Sequence, residues 1–250
     1  MKFDHLVLNV DKKYQIESEE TRKILEMDLL YHYKKGKSTN GFKATNIWIG
    51  KEYLEMIQIL QNHGGGWKKE WVDKYLSGHR GLICIMLEVK DLNSLIENLR
   101  HKGISISEPE KITVRFLFGL IKKSMPWSNS YLDFFDYVPL QIGFQQMDNE
   151  KIRQSLEKHM IPNSTDNNIS GIKIVHVYGP FTTKDFQLLQ LIFENVTVTN
   201  KQLRILLDGD QELIVEVSNI YNVEVKLNHE KQSSIIQKAW IENTMITIND

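Results

Sequence analysis

The chain has 250 residues, 41% of them hydrophobic and 25% charged, an ordinary globular balance with enough apolar side chain for a sizeable core. Its 31 basic residues stand against 32 acidic ones, a net charge of −1, so no global positive field draws nucleic acid or anionic lipid. No apolar run reaches the roughly 18 to 20 residues that span a bilayer, and a single cysteine, Cys84, excludes an intrachain disulfide.

The expectation is a cytoplasmic protein with a small-molecule partner, without nucleic acid or membrane. The sequence enters a strand pattern at once, with no leader-like apolar stretch, so the sequons at Asn163, Asn168 and Asn195 read as chance matches.

Phe3 to Val10 alternates as a strand and carries His5 on one face with Val7 and Asn9. Tyr14 to Leu29 has helical spacing at Ile16, Ile24, Leu25 and Met27, and Lys34 to Gly41 reads as an exposed loop or hairpin. Ala44 to Ile49 and Tyr53 to Leu60 are strands joined by a tight turn at Gly50-Lys51-Glu52, and the second carries Glu55. His63-Gly64-Gly65-Gly66 lacks the spacing of a phosphate loop and reads as a connector. Trp67, Trp71 and Tyr75 then form a helical aromatic stripe, suited to packing or to covering a pocket.

The order of strand, helix and strands then repeats. Gly81 to Val89 is a buried-looking strand, Asp91 an N-cap, and Leu92, Leu95, Ile96 and Leu99 one apolar helix face that Gly103 ends. Lys111 to Ile121 and Tyr131 to Tyr137 are expected strands around a turn at Met125 to Ser128, and Leu140 to Gln146 is a further strand. Glu150 to Met160 reads as a polar helix and Pro162 to Ser170 as a loop.

A weaker third copy follows. It has a strand at Ile172 to Tyr178, a helix at Thr183 to Phe193, and strands at Gln202 to Leu207, Glu212 to Val217 and Asn222 to Leu227. The tail around Ser234 to Trp240 reads as a short helix. The expected divisions are 1–62 and 78–148 as paired modules, 149–170 as connector, and 171–250 as the third, module-like segment with its tail.

An imidazole and a carboxylate side by side, His5 and Glu55, make half of a divalent-metal site. The His-bearing first strand, the Tyr53-Leu54-Glu55 strand and the strand-helix unit ending at Lys102-Gly103 resemble the vicinal oxygen chelate superfamily. The stretch from Ala44-Thr45-Asn46 to Ile59 is similar to its glyoxalase-like domain proteins. The resemblance implies an α+β fold of paired βαβββ modules forming a cupped mixed sheet. It also implies a divalent cofactor (zinc, manganese, iron or nickel) at His5 and Glu55, with Glu55 alternatively a catalytic base.

Counting along the strands matches Cys84 to His5, and the thiol reads as structural; the last strand of the second module supplies no carboxylate. His79 and Arg115 are candidates to hold an anionic substrate, whereas His176 reads as a satisfied core histidine. Three functions stay open. The first is metal-assisted lyase, isomerase or ring-cleaving dioxygenase chemistry on an oxygen-rich substrate. The second is non-catalytic sequestration of a small molecule. The third is an assembly role, with a filled cup and a homodimer.

Overall fold

A computed structural model describes residues 1–15, 33–111, 113–116, 121–230 and 237–248. The helix expected over Tyr14 to Leu29 lies almost wholly outside these residues.

The N-terminal half forms one seven-stranded sheet. Its strands are β1 (Lys2–Asn9), β2 (Tyr33–Ser38), β3 (Phe42–Ile49), β4 (Glu52–Ile59), β5 (Gly81–Glu88), β8 (Trp127–Tyr131) and β9 (Gln141–Met147). Their spatial order is β2-β3-β4-β1-β5-β9-β8, with β6 (Thr113–Phe116) and β7 (Ile121–Ser124) forming a separate hairpin. The first strand of each module pairs in parallel with its last, and the two first strands meet antiparallel. That arrangement is the paired βαβββ architecture.

The C-terminal half repeats it. The strands β10 (Ile169–Gly179), β11 (Val196–Val198), β12 (Gln202–Leu206), β13 (Glu212–Val217), β14 (Asn222–His229), β15 (Gln237–Ile241) and β16 (Thr244–Ile248) lie in the order β11-β12-β13-β10-β14-β16-β15. Asn222–His229 is therefore not the last strand of a third module. It starts a fourth unit, antiparallel to β10 and parallel to β16.

Four α-helices are described: α1 (Lys69–Leu76), α2 (Leu92–His101), α3 (Glu150–His159) and α4 (Thr183–Ile192). Asp91 accepts from Ser94 N to start α2, and a Thr182/Asp185 capping box starts α4. Leu6 and Leu8 of β1, Val175 and Val177 of β10, Leu92, Ile96 and Leu99 of α2, and Phe186 and Leu189 of α4 share one buried core. The inner faces of both sheets thus meet in one core with side chains of α2 and α4, and each sheet keeps an outer face turned away from this core.

Glu52 and Gln211 fasten the seam. Gln211 accepts from Phe3 N at 2.8 Å and donates to Ile172 O at 3.0 Å and to Glu52 Oε1 at 3.2 Å; Ile172 N donates to Glu52 Oε2 at 3.0 Å. Burial dominates at Glu52 and pushes its pKa up to about 7, although these donors favour the charged form.

The hairpin alternative for Lys34 to Gly41 holds, because Tyr33–Ser38 pairs antiparallel with β3 at the edge of the sheet. Two expectations change. The strand before β9 is Trp127–Tyr131, not Tyr131 to Tyr137, because Asn129 pairs with Gln145 and Tyr131 with Gly143. Gln237–Ile241 is a strand on β16, not the end of a helix.

Candidate active site on the outer face of the N-terminal sheet

Alternation sends His5, Val7 and Asn9 of β1 to the outer face, and the parallel register sets Tyr53 beside His5 and Glu55 beside Val7. Across the sheet runs a row of Trp48, Tyr53, His5, Met86, Gly143 and Tyr131. His5 stacks on Tyr53 with ring centroids 4.4 Å apart, and Trp48 meets Tyr53 edge-on at 4.7 Å. The expected pair is brought together, with His5 Nε2 3.9 Å from Glu55 Oε2.

Asp4 completes the site. β1 has a register irregularity between Phe3 and His5, which frees Asp4 from strict alternation. Its Oδ1 lies 2.6 Å from His5 Nδ1, and Arg153 of α3 holds its Oδ2 at 2.5 Å. Arg153 also reaches Glu88 at 3.1 Å, Glu157 at 3.2 Å and the Lys51 carbonyl at 2.7 Å. Burial alone would raise the Asp4 carboxyl, but the bond from His5 and the charges of His5 and Arg153 outweigh it and hold it low. An ionised Asp4 only accepts, so Nδ1 carries a proton, and in the neutral form of the ring Nε2 is the bare nitrogen. A gap of 3.9 Å between that lone pair and Glu55 is too long for a direct hydrogen bond.

The rest of the outer face is closed by the connector. A tight turn at Gly64–Gly66, each glycine with positive φ, feeds α1. A Cβ at Gly41 would collide with the Gly65 backbone, which accounts for small residues on both sides of that contact. Trp67 packs on Phe42, and Trp71 packs edge-on against Tyr131, with its Nε1 donating to Gln141 Oε1 at 2.8 Å. Val7, Ile57, Cys84 and Met86 lie in the same cluster. The aromatic stripe is therefore the lining that fills this part of the cup.

The first strand of the second module sets Met86, not Cys84, opposite His5, and Cys84 opposite Val7. Cys84 is fully buried, which pushes its thiol pKa far up and makes it a poor thiolate ligand. The residue beside Met86 on β9 is Gly143, and a Cβ there would run into Met86 Sδ. A thioether and a glycine supply no hard donor where the resemblance implies ligands, so this row does not fit a four-ligand divalent ion. Among the described residues, no group of three or more His, Cys, Asp and Glu side chains is placed to hold a metal.

His79 lies at the seam. Its Nε2 donates to Leu82 O at 3.1 Å, and its ring packs at 5.8 Å from Tyr221, whose hydroxyl donates to the same carbonyl. Burial lowers its pKa to about 4. Arg115 belongs to the separate β6–β7 hairpin, and its guanidinium lies outside what the structure describes. His176 is on the outer face of the C-terminal sheet rather than in the core.

Sequence reasoning missed Asp4, Arg153 and the polar atoms around the pair. Asn9 Oδ1, Asn46 Oδ1, Trp48 Nε1 and Asn129 Oδ1 are buried without a hydrogen-bond partner among the described residues, and all belong to outer-face positions. Buried polar atoms are normally satisfied, and the two such exceptions nearest the pair are Asn46 and Trp48 on β3, opposite Glu55 and Tyr53.

No protein-family model and no curated protein matches the chain. Among solved structures, a hypothetical protein from Staphylococcus aureus superposes with a TM-score of 0.74 at 15% identity, covering 99% of this chain and 98% of that one. Methylmalonyl-CoA epimerase from Mycobacterium tuberculosis gives 0.40 at 12% identity over 60% of this chain and 90% of its own. A methylmalonyl-CoA epimerase in complex with methylmalonyl-CoA and NH4+ gives 0.38 at 14% identity, over 58% and 94%. The whole-chain match shows a shared fold. That fold is α+β and strand-rich, and no helix among the described residues is long and apolar enough to cross a membrane.

Proposed function

We propose that the outer face of the N-terminal sheet binds a small oxygen-rich molecule at the His5–Glu55 end and moves a proton on it. The polar atoms of Asn46 and Trp48, buried without a hydrogen-bond partner among the described residues and opposite Glu55 and Tyr53 in the register, are the observation that carries this reading. In it, Nε2 of His5 takes a proton from a carbon next to a carbonyl, and Asp4 and Glu55 stabilise the imidazolium that forms. The indole N–H of Trp48 is the donor available to the oxygen on which charge develops. His5 then delivers the proton to the neighbouring carbon of the enediolate while the hydroxyl proton passes to the other oxygen, which makes the reaction on an α-hydroxy ketone an isomerisation. The row holding Met86 and Gly143 supplies no step through a metal. A sequestering protein without turnover is the second reading, favoured by the Trp71–Tyr131 packing that closes the far part of the cup.

The test is incubation with 2-oxo acids and α-hydroxy ketones in deuterated water, following loss of the adjacent C–H signal by NMR. Exchange that falls about a hundredfold or more in His5→Gln supports proton transfer. Exchange that survives the substitution would refute it. Binding that depends on His5 without exchange selects the sequestering reading.

A further inference from the structure

The C-terminal sheet repeats the His and Glu of the first sheet at the same register. In the first, His5 pairs with Tyr53, and Glu55 lies two residues further along β4; in the second, His176 pairs with Ile214, and Glu216 lies two residues further along β13. Here the pair is in direct contact, with His176 Nε2 3.0 Å from Glu216 Oε2. Carboxylates only accept, so Nε2 carries the proton and Nδ1 is free to accept from the Tyr178 hydroxyl at 2.9 Å. Gln202 Nε2 also donates to Glu216 at 2.9 Å. Hydroxyl, imidazole, carboxylate and amide thus form one connected line, and His176, Tyr178 and Glu216 are each only partly buried.

The remainder of this face is chemically mixed and electrically balanced. By register it bears Glu212, Glu216 and Glu224 against Arg204, Lys226 and Lys238. Arg204 pairs with Glu212 at 3.4 Å and Lys226 with Glu224 at 3.9 Å, so an anionic or cationic ligand would have to break existing pairs. Thr247 stands beside Lys226 and is 1% exposed, yet its hydroxyl has no hydrogen-bond partner among the described residues. At the far end of the His176 row, through Glu224 and Met245, Trp240 is half-exposed. Three strand spacings separate the two, roughly 14 Å.

We propose that this face is a second small-molecule site, for a neutral polyhydroxylated ligand of about disaccharide length. Its hydroxyls bond to the Tyr178–His176–Glu216 line, and its apolar face rests on Trp240. Ligand hydroxyls both donate and accept, which matches a surface where carboxylates, a phenol and amides are interleaved without net charge. An indole offers the apolar platform.

The experiment is an NMR titration of protein labelled at histidine and tyrosine rings with maltose, cellobiose and N,N′-diacetylchitobiose. The expected result is saturable movement of the His176 and Tyr178 signals with at least one disaccharide. Affinity should fall about tenfold in Tyr178→Phe and in Trp240→Ala, both of which leave the core untouched, and stay unchanged in Glu55→Gln. Failure of all three sugars to move these signals would overturn the proposal. So would binding that persists in both C-terminal variants, or that is lost in Glu55→Gln, which would place the sugar in the N-terminal cup.

Discussion

Replacing Arg153 with Met should be the most damaging single change near the site. The guanidinium is almost fully buried, faces the fully buried Asp4 at 2.5 Å and also compensates Glu88 at 3.1 Å. Methionine keeps much of the volume but leaves Asp4 with only His5 as partner. Stranding a buried charge in this way costs about 3 to 5 kcal/mol, which lowers the melting temperature of a chain of this size by roughly 10 °C. Asp4→Asn should cost less, about 1 to 3 kcal/mol, because Arg153 keeps Glu88 and Glu157. The double variant should be more stable than the two losses summed, with coupling of at least about 1.5 kcal/mol. The pH dependence follows from the same geometry. The Asp4 carboxyl is held below its unfolded value, so its contribution is present above about pH 4 and is lost as pH falls through the lowered folded value. Urea unfolding of the four proteins at neutral and acid pH reads all of this. A loss under about 1 kcal/mol in Arg153→Met, or strict additivity, would refute the clamp.

Other changes follow from the same structure. Glu52, raised to about 7 in the fold, adds stability that is complete below about pH 4.5 and is lost as pH rises through about 7. Melting curves between pH 5 and 8 should therefore decline in the wild type, by on the order of 3 kcal/mol at most, and flatten in Glu52→Gln. A Cβ at Gly143 collides with Met86 and approaches Tyr131 Cδ1 to 2.9 Å, so Gly143→Ala should cost about 1 to 3 kcal/mol in chemical denaturation. Trp71→Ala should cost about 3 to 5 kcal/mol and open the far part of the cup, detected as new binding of a small aromatic such as indole by calorimetry.

Alternation placed His5 and Glu55 on one face because both strands are regular between them, and the capping signal at Asp91 placed one helix. Counting along the strands matches Cys84 to His5 by position within the module, and each is the fourth residue of its strand. It does not give the cross-strand neighbour of His5, which is Met86 because β1 and β5 change register between Phe3 and His5 and between Val7 and Leu8. Arg153 was invisible for a different reason. It sits 149 residues from Asp4, on a helix whose sequence is otherwise that of a solvated connector. His176 looked like a core residue between two valines, yet Val175 and Val177 face the core and His176 faces out with Glu216. The fourth unit was hidden because no described helix separates β14 from β15.

The central claim is that His5, fixed by Asp4, offers an unprotonated Nε2 to a ligand beside Glu55. Nitrogen-15 NMR of the histidine rings, at a pH where this imidazole is neutral, tests it most directly. The account predicts a protonated Nδ1 and a bare Nε2 for His5, reversed or mixed in Asp4→Asn, and movement of the Nε2 signal when a 2-oxo acid or α-hydroxy ketone binds. A protonated Nε2 in the wild type, or a His5 signal that none of these compounds moves, would contradict it.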